Sequence, residues 1–496
     1  MAMDSFRLFF GTAGMVGEGG DVIPTGEAAA IDGSIVSLFL CGCCLGSVLA
    51  SYGADAWGRK SLLLLGSLFF SLGGVLQAMA GTRVVLYLGR LLAGCGIGLL
   101  SMVAPLFINE VAEKDARGAL ISMQQLLITV GIFLASCANS ALYKFGGHLG
   151  DLQWRTALLL QVLPALLLLG ATAAIPPSPR WLVLVGRVQQ AHEVVALLRQ
   201  RALDDPAVAS EVEGIQEELC SGAASAGEAA GSGSGSSTTS VLAWALRFRA
   251  LLSRGNRKRT LVVCLLQFFQ QWSGINAILY FAAALFLRAG VGKDTAATTL
   301  VVCNSALLVV GTVPGMWAVD RESIGRRRLL LYGSAAMAAC HCAIALLVSS
   351  AQTAQAGTPR ADALSYAAVA AMMLFTFSFS ATWGPVAWVV SSEVFDLDVR
   401  AQGVALGTLV NWASNAVIGK VVPLLVEAWG GNAFFLFFAC CAASGAYVRA
   451  CLPETTGVSL QDMGSLFGEE RGIVMTKVRT VDAGSASAEY DEQGLL

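Results

Sequence analysis

Amide side chains lie inside a long apolar stretch of this sequence, where QQWSGIN carries Gln270, Gln271 and Asn276. An amide without a hydrogen-bond partner in hydrocarbon costs several kcal/mol. On an ideal helix, Gln271 and Asn276 differ by about 140° around the axis, so they cannot both face one small ligand unless the helix is broken or the cavity wraps around it. Ser273 and Gly274 between them permit a helix break. We expect either a broken helix beside a wet cavity, or amides that hold neighbouring helices together.

The composition places the chain in a membrane. Of its 496 residues, 55% are hydrophobic and only 13% are charged, against about 25% in ordinary soluble proteins. The net charge of −2 gives no indication of a nucleic-acid partner. Nearly all of the 13 cysteines lie inside apolar runs, where they act as small hydrophobic residues, and there are only three histidines, so we expect no metal and no other cofactor. The sequence also lacks a nucleophile–base pair and a phosphate-binding loop, so we do not expect an enzyme.

Eleven apolar segments stand out in a window of about 20 residues. They cover residues 33–53, 61–80, 84–108, 119–143, 156–175, 261–287, 296–319, 329–350, 364–390, 402–426 and 432–452. The sequence therefore predicts an all-α integral membrane protein with five spans, then six. The predicted parts are an outer N-terminal segment (1–32), an N-terminal bundle (33–175), a cytoplasmic helical linker with a Gly/Ser-rich stretch (176–259), a C-terminal bundle (260–452) and a cytoplasmic tail (453–496).

Charged residues recur at the same end of the spans in both halves. Basic residues fall in alternate connections, which places the linker and the C-terminus in the cytoplasm. DAWGRKSLLLLGS is echoed by DRESIGRRRLLLYGS, and INEVAEKDARGAL by SSEVFDLDVRAQGVAL. Ion pairs there would form a cytoplasmic gate that closes in one state and breaks in another; simple positive-inside topology with helix capping is the alternative. The predicted gate residues are Asp55, Arg59, Glu110, Arg117, Asp320, Arg326, Glu393 and Arg400.

Eight motifs, in order, resemble those of the sugar porter family of the major facilitator superfamily. They are GADAWGRK, GRLLAGCGIGLLSMVAPLFINEVAEKDARGAL, PPSPRWL, QQWSGIN, GRRRLLL, WGPVAWVVSSEVF, NWASN and LPETTG. The resemblance implies a major facilitator fold of two helical bundles that carries a monosaccharide, such as a hexose, by alternating access. It implies a sugar as partner, a surrounding bilayer and action as a monomer. The plasma membrane is the expected location, with the vacuolar and plastid membranes as alternatives.

The start of the sequence departs from that family. Family members have a first span that ends in a pattern like GVLAMDSF.RFFG, whereas this chain begins MAMDSFRLFFG. The sequence therefore resembles a family member without its first helix. A truncated gene model is our preferred explanation, and a genuine eleven-span protein is the alternative.

The resemblance also assigns residues to a sugar site. The matching positions are Gln125, Gln270, Gln271, Asn276, Asn304, Trp388 and Asn411. Amides donate to and accept from hydroxyls, and an indole packs on the apolar face of a pyranose, so such a site needs no charge. A polyol or inositol transporter of the same family and a non-transporting sugar sensor are the alternatives. The short segment after Phe467 disfavours the sensor, which usually has a long tail.

Arg90 is a cation placed inside a span. It matches an arginine that, in the family's proton symporters, pairs with an aspartate of the first helix and favours its charged form. An arginine that extends to the outer surface is the alternative interpretation. The choice between uniport and proton symport therefore stays open in the sequence.

Overall fold

The computed structural model describes residues 3–12, 15–16, 22–23, 26–113, 117–230, 248–253, 255–288, 291–319, 321, 323–354, 358–395 and 399–456. Regular structure in these ranges is almost entirely helical, which confirms the predicted all-α class. A two-residue antiparallel ladder between Met15–Val16 (β1) and Val22–Ile23 (β2) precedes the first span.

The N-terminal half and the linker contain ten described helices. These are α1 Asp4–Phe10, α2 Gly26–Ala56, α3 Arg59–Ala78, α4 Arg83–Val111, α5 Arg117–Phe145, α6 Asp151–Leu160, α7 Val162–Ala174, α8 Pro179–Leu184, α9 Val188–Arg199 and α10 Pro206–Ala230. Helix α2 begins at Gly26 rather than at the predicted residue 33. Helix α10 runs into the Gly/Ser-rich stretch as far as Ala230, because the alanines and the glutamate there favour helix. Residues 231–247 of that stretch lie outside the described residues.

The C-terminal half continues with nine described helices. These are α11 Arg257–Trp272, α12 Ile275–Arg288, α13 Lys293–Thr295, α14 Val301–Val319, α15 Arg326–Thr353, α16 Pro359–Ala381, α17 Trp383–Glu393, α18 Arg400–Trp429 and α19 Phe434–Cys451. A π-helical turn, Ala296–Leu300, joins α13 to α14.

The predicted number of membrane crossings is confirmed. Ten stretches of the described residues are long and apolar enough to cross a membrane, the last being Gln402–Cys451 with 50 residues. One straight helix of that size would measure about 75 Å, more than twice the ~30 Å hydrocarbon core. The stretch is broken by the turn Gly430–Ala433, where Gly430 has φ 55°, so it forms the two spans α18 and α19. The described residues therefore contain eleven helical stretches that are long and apolar enough to cross a membrane, five before the linker and six after it.

Glycines allow α2 and α4 to pack backbone against backbone. Gly42 and Gly46 of α2 face Gly94 and Gly98 of α4. A Cβ added to Gly94 would stand 2.0 Å from the carbonyl oxygen of Phe39, so a side chain does not fit there. Small residues are the usual contact between membrane helices, because lipid tails provide no hydrophobic force between them.

The two halves meet at the predicted outer side. Lys420 of α18 donates to the carbonyl oxygen of Ala30 at 2.9 Å and to Oγ of Ser34 at 2.7 Å, both in α2. We call this contact the outer latch. A second contact joins Oγ of Ser136 in α5 to Oγ of Ser305 in α14 at 2.7 Å. Polar groups from both halves therefore connect the bundles on this side.

Candidate binding site

The predicted break in the amide-bearing helix is present. Helix α11 ends at Trp272 and α12 begins at Ile275, and Gly274 between them has φ 92°. Glycine adopts this conformation readily, whereas residues with a Cβ are strained in it. A Cβ at Gly274 would also stand 2.9 Å from Cγ of Phe437. Gly274 is therefore required by the turn and by the close packing around it.

The break brings Asn276 to Gln271. Nδ2 of Asn276 donates to Oε1 of Gln271, although a continuous helix would place the two side chains on different faces. Asn276 is half-buried and Gln271 is buried. The break therefore places the two amides side by side, as the geometric condition set by the sequence requires.

A buried group of amides lies next to this pair, and we call Gln267, Gln270, Gln271 and Asn411 the amide cluster. Nδ2 of Asn411 donates to Oε1 of Gln267 at 2.7 Å and to Oε1 of Gln270 at 2.6 Å. Nε2 of Gln271 donates to Oδ1 of Asn411 at 2.9 Å. Nε2 of Gln270 donates to the carbonyl oxygen of Gly384 at 3.1 Å. The cluster therefore joins α11, α17 and α18.

Gln267 is a member of the cluster that the sequence analysis missed. It is fully buried, and its Nε2 donates to Oγ of Ser391 at 3.1 Å. Gln267, Gln270 and Gln271 have the i, i+3, i+4 spacing of one helix face, so the signal was available in the sequence. Asn415, one turn after Asn411 in α18, was also missed, and its Nδ2 donates to the hydroxyl of Tyr280 at 3.0 Å.

The other three predicted site residues are not members of the amide cluster. Asn304 is buried, and its Oδ1 accepts from Oγ1 of Thr376 at 2.8 Å. Gln125 in α5 and Trp388 in α17 are half-buried. Among the residues that the structure describes, no hydrogen bond joins Gln125, Trp388 or Asn304 to the amide cluster. The structure therefore brings four of the seven predicted residues together, and a substrate contact of any of the seven stays a prediction.

Arg90 lies in α4 beside an aromatic ring. Its guanidinium carbon is 5.8 Å from the ring centroid of Phe39, and its Nε is buried without a hydrogen bond. Within the described ranges, no acid forms an ion pair with it. A role in coupling stays a prediction.

Ion pairs occupy equivalent positions in the two halves at the predicted cytoplasmic ends. Arg59 contacts Asp55 at 3.1 Å and Glu110 at 2.8 Å. Oγ of Ser178, in the PPSPRWL motif, donates to Glu110 and so ties the start of the linker to α4. In the second half, Arg326 pairs through two nitrogens with Glu393. The internal repeat seen in the sequence is therefore present in the contacts.

The remaining predicted gate residues are Arg400, Asp320 and Arg117. Arg400 donates to the carbonyl oxygen of Phe395 through Nε at 3.1 Å. Asp320 and the side chain of Arg117 lie outside the described residues. The LPETTG motif adds a further tie, because Glu454 accepts from the backbone N–H of Arg326 at 2.9 Å at the start of α15.

Comparisons with known proteins give consistent results. The family model described as "Sugar (and other) transporter" matches residues 18–467. The high-affinity hexose transporter HXT6 of Saccharomyces cerevisiae is 30% identical over 468 residues, which cover 93% of this chain and 77% of the relative. The galactose transporter of the same yeast is 32% identical over 446 residues, which cover 88% and 72%.

Solved structures share the architecture. The proton:xylose symporter XylE bound to 6-bromo-6-deoxy-D-glucose has a TM-score of 0.73 at 24% identity and is covered over 93% of each chain. The inward open conformation of the xylose transporter XylE from E. coli gives a TM-score of 0.70 at 23% identity, again over 93% of each chain. At these identities the likeness shows the fold alone.

Proposed function

The chain belongs to the sugar transporter family of the major facilitator superfamily, and from this premise we propose that it carries a hexose across a membrane by alternating access. Members of this family are multi-pass membrane transporters and not enzymes. The choice of a hexose is supported by relatives named as hexose, glucose and galactose transporters at 30–32% identity.

The observation that carries the proposal is the amide cluster beside the helix break. Its members are neutral, and each amide can donate two hydrogen bonds and accept two. Asn276 is half-buried and makes one described side-chain bond, so it retains donor and acceptor capacity for a hydroxyl. Sugar hydroxyls also both donate and accept, which matches this set without any fixed charge.

We further propose roles for the other predicted residues. The sugar would contact Gln125, Gln270, Gln271, Asn276, Asn304, Trp388 and Asn411. The pairs of Arg59 with Glu110 and of Arg326 with Glu393 would stabilise the cytoplasmic ends in one state of the cycle. Action as a monomer, a cytoplasmic C-terminus and the plasma membrane remain parts of this proposal. Proton coupling through Arg90 extends this proposal and is tested separately below.

Uptake of labelled hexose by the purified protein in liposomes tests the proposal. The unsubstituted protein is expected to take up hexose saturably, and Gln271→Ala and Asn276→Ala are expected to abolish saturable uptake while the protein still inserts. Asn432→Ala is the matched control, because this exposed amide lies outside the amide cluster, in the Gly430–Ala433 turn after the C-terminal end of α18. Normal uptake by both site variants would refute the site, and uptake of a polyol in place of hexose would refute the substrate. Uptake that a protonophore and external pH leave unchanged would refute coupling.

A further inference from the structure

A buried imidazole contacts the helix break from another helix. His341 of α15 is fully buried, and its Nε2 lies 2.7 Å from the carbonyl oxygen of Ser273. A carbonyl oxygen can only accept, so Nε2 carries the hydrogen and donates it. His341 makes no described hydrogen bond to the amide cluster itself.

The carbonyl of Ser273 needs this donor because the break removes its ordinary partner. In a continuous helix the N–H of Ala277 would donate to it. In the described backbone hydrogen bonds that donation is absent, and the next one along, from Ile278 to the carbonyl oxygen of Gly274, is present at 3.2 Å. Sγ of Cys441 lies 3.7 Å from the same oxygen and is a weak donor. His341 therefore supplies the strong hydrogen bond to a buried carbonyl group that would otherwise lack one.

Aromatic rings fix the imidazole in place. The ring centroids of Phe375, Phe437 and Phe434 lie 4.3, 5.5 and 5.9 Å from that of His341. On the side of the ring that faces the helix break, a Cβ on Gly274 would stand 3.1 Å from Cε1 of His341. Nδ1 is buried and has no hydrogen-bond partner within the described residues. The bond to Ser273 is therefore the polar interaction that the packed ring makes.

We propose that His341 is a positioning residue for the sugar site. Its hydrogen bond to Ser273 stabilises the break at Gly274, and the break places Asn276 beside Gln271. The inference rests on the proposed function, since it assigns His341 an effect on substrate affinity that is exerted through Asn276.

Two substitutions separate the hydrogen bond from the volume of the ring. His341→Leu fills the space without a donor, whereas His341→Gln keeps an N–H at a similar reach. The leucine variant is expected to raise the KM for hexose about tenfold, the equivalent of ~1.4 kcal/mol, with little change in the maximal rate per inserted protein. The glutamine variant is expected to stay within about twofold of the unsubstituted protein.

A double-substitution cycle with Asn276→Ala identifies the route of the effect. Because Asn276→Ala is expected to abolish saturable uptake, the cycle is measured as the Kd for direct hexose binding to the purified proteins. If His341 acts through Asn276, His341→Leu raises the Kd no further in the Asn276→Ala background, because both changes remove the same contact. Additive effects, or a glutamine variant that folds but binds as weakly as a leucine variant, would overturn the proposal. A leucine variant with lower Tm and maximal rate but an unchanged KM would overturn it as well, since that pattern indicates a structural role alone.

The unsubstituted protein separates this inference from the proposed function. If it neither binds nor carries hexose, the proposed function fails and this inference fails with it. If it binds hexose normally while the cycle is additive, only the role of His341 is refuted.

Discussion

Replacing Gly274 with alanine tests whether the break itself creates the site. At φ 92° an alanine would adopt a left-handed backbone conformation, which costs roughly 1–2 kcal/mol. The added Cβ would stand 2.9 Å from Cγ of Phe437 and 3.1 Å from Cε1 of His341. Overpacking of this kind costs about 1–3 kcal/mol. Together the two effects disfavour the observed conformation by about 2–5 kcal/mol.

The chain can relieve this cost by straightening the helix, which separates Asn276 from Gln271. We therefore expect hexose affinity to fall, by up to roughly 30-fold at the lower figure of about 2 kcal/mol. The assay is equilibrium binding of labelled hexose to the purified Gly274→Ala protein, with its Tm measured in the same detergent.

Gly170→Ala is the matched control, because Gly170 is helical, exposed and has open space where a Cβ would lie. That variant is expected to bind like the unsubstituted protein and to be slightly more stable, since alanine favours helix over glycine by about 0.5–1 kcal/mol. Hexose binding and Tm of Gly274→Ala that match those of the control would refute the reasoning, because the break would then not depend on glycine.

Three further substitutions probe contacts outside the break. Asn411→Ala removes the short hydrogen bonds to the side-chain oxygens of two buried glutamines, at about 1–3 kcal/mol each, so we expect a clearly lower Tm in the absence of sugar. A Tm equal to that of Asn432→Ala would contradict this. Glu110→Gln is expected to destabilise the protein by about 2–3 kcal/mol, as measured by chemical denaturation. Breaking a buried ion pair costs about 3–5 kcal/mol, and the loss is smaller here because Asp55 still contacts Arg59. Lys420→Met removes the outer latch, so spin labels on the outer ends of α2 and α18 are expected to move apart; an unchanged distance distribution would show that the latch does not hold this side closed.

Local geometry made the break predictable, whereas the amide cluster needed long-range packing. The angular separation of Gln271 and Asn276, with Ser273 and Gly274 between them, is a property of six consecutive residues. The bonds from Asn411 depend on α11 and α18 lying side by side, and the two helices are separated by more than a hundred residues of sequence. No local sequence pattern predicts which helices lie side by side.

The missed residues illustrate two different limits. Gln267 was within reach, since its spacing to Gln271 is one helical turn and only the face had to be examined. His341 was not, because a single histidine in an apolar span has no periodic partner that would distinguish a packed ring from a functional one. His341 matters because it donates a hydrogen bond to the carbonyl oxygen of Ser273. That oxygen lacks a backbone donor only because the helix breaks at Gly274, which the sequence alone does not show.

The outer latch also gives the molecule an electrical property. Lys420 carries a positive charge at the interface between the two halves, close to the outer end of its span. Under the proposed alternating access the outer ends separate, so the ammonium group leaves Ala30 and Ser34. A unit charge that crosses the full membrane at 100 mV exchanges about 2.3 kcal/mol with the field, and a tenth of that path exchanges about 0.2 kcal/mol. Under that proposal, any displacement of this charge along the bilayer normal makes the balance between the outward-open and inward-open states sensitive to membrane voltage, even if the transported sugar is neutral and no ion accompanies it.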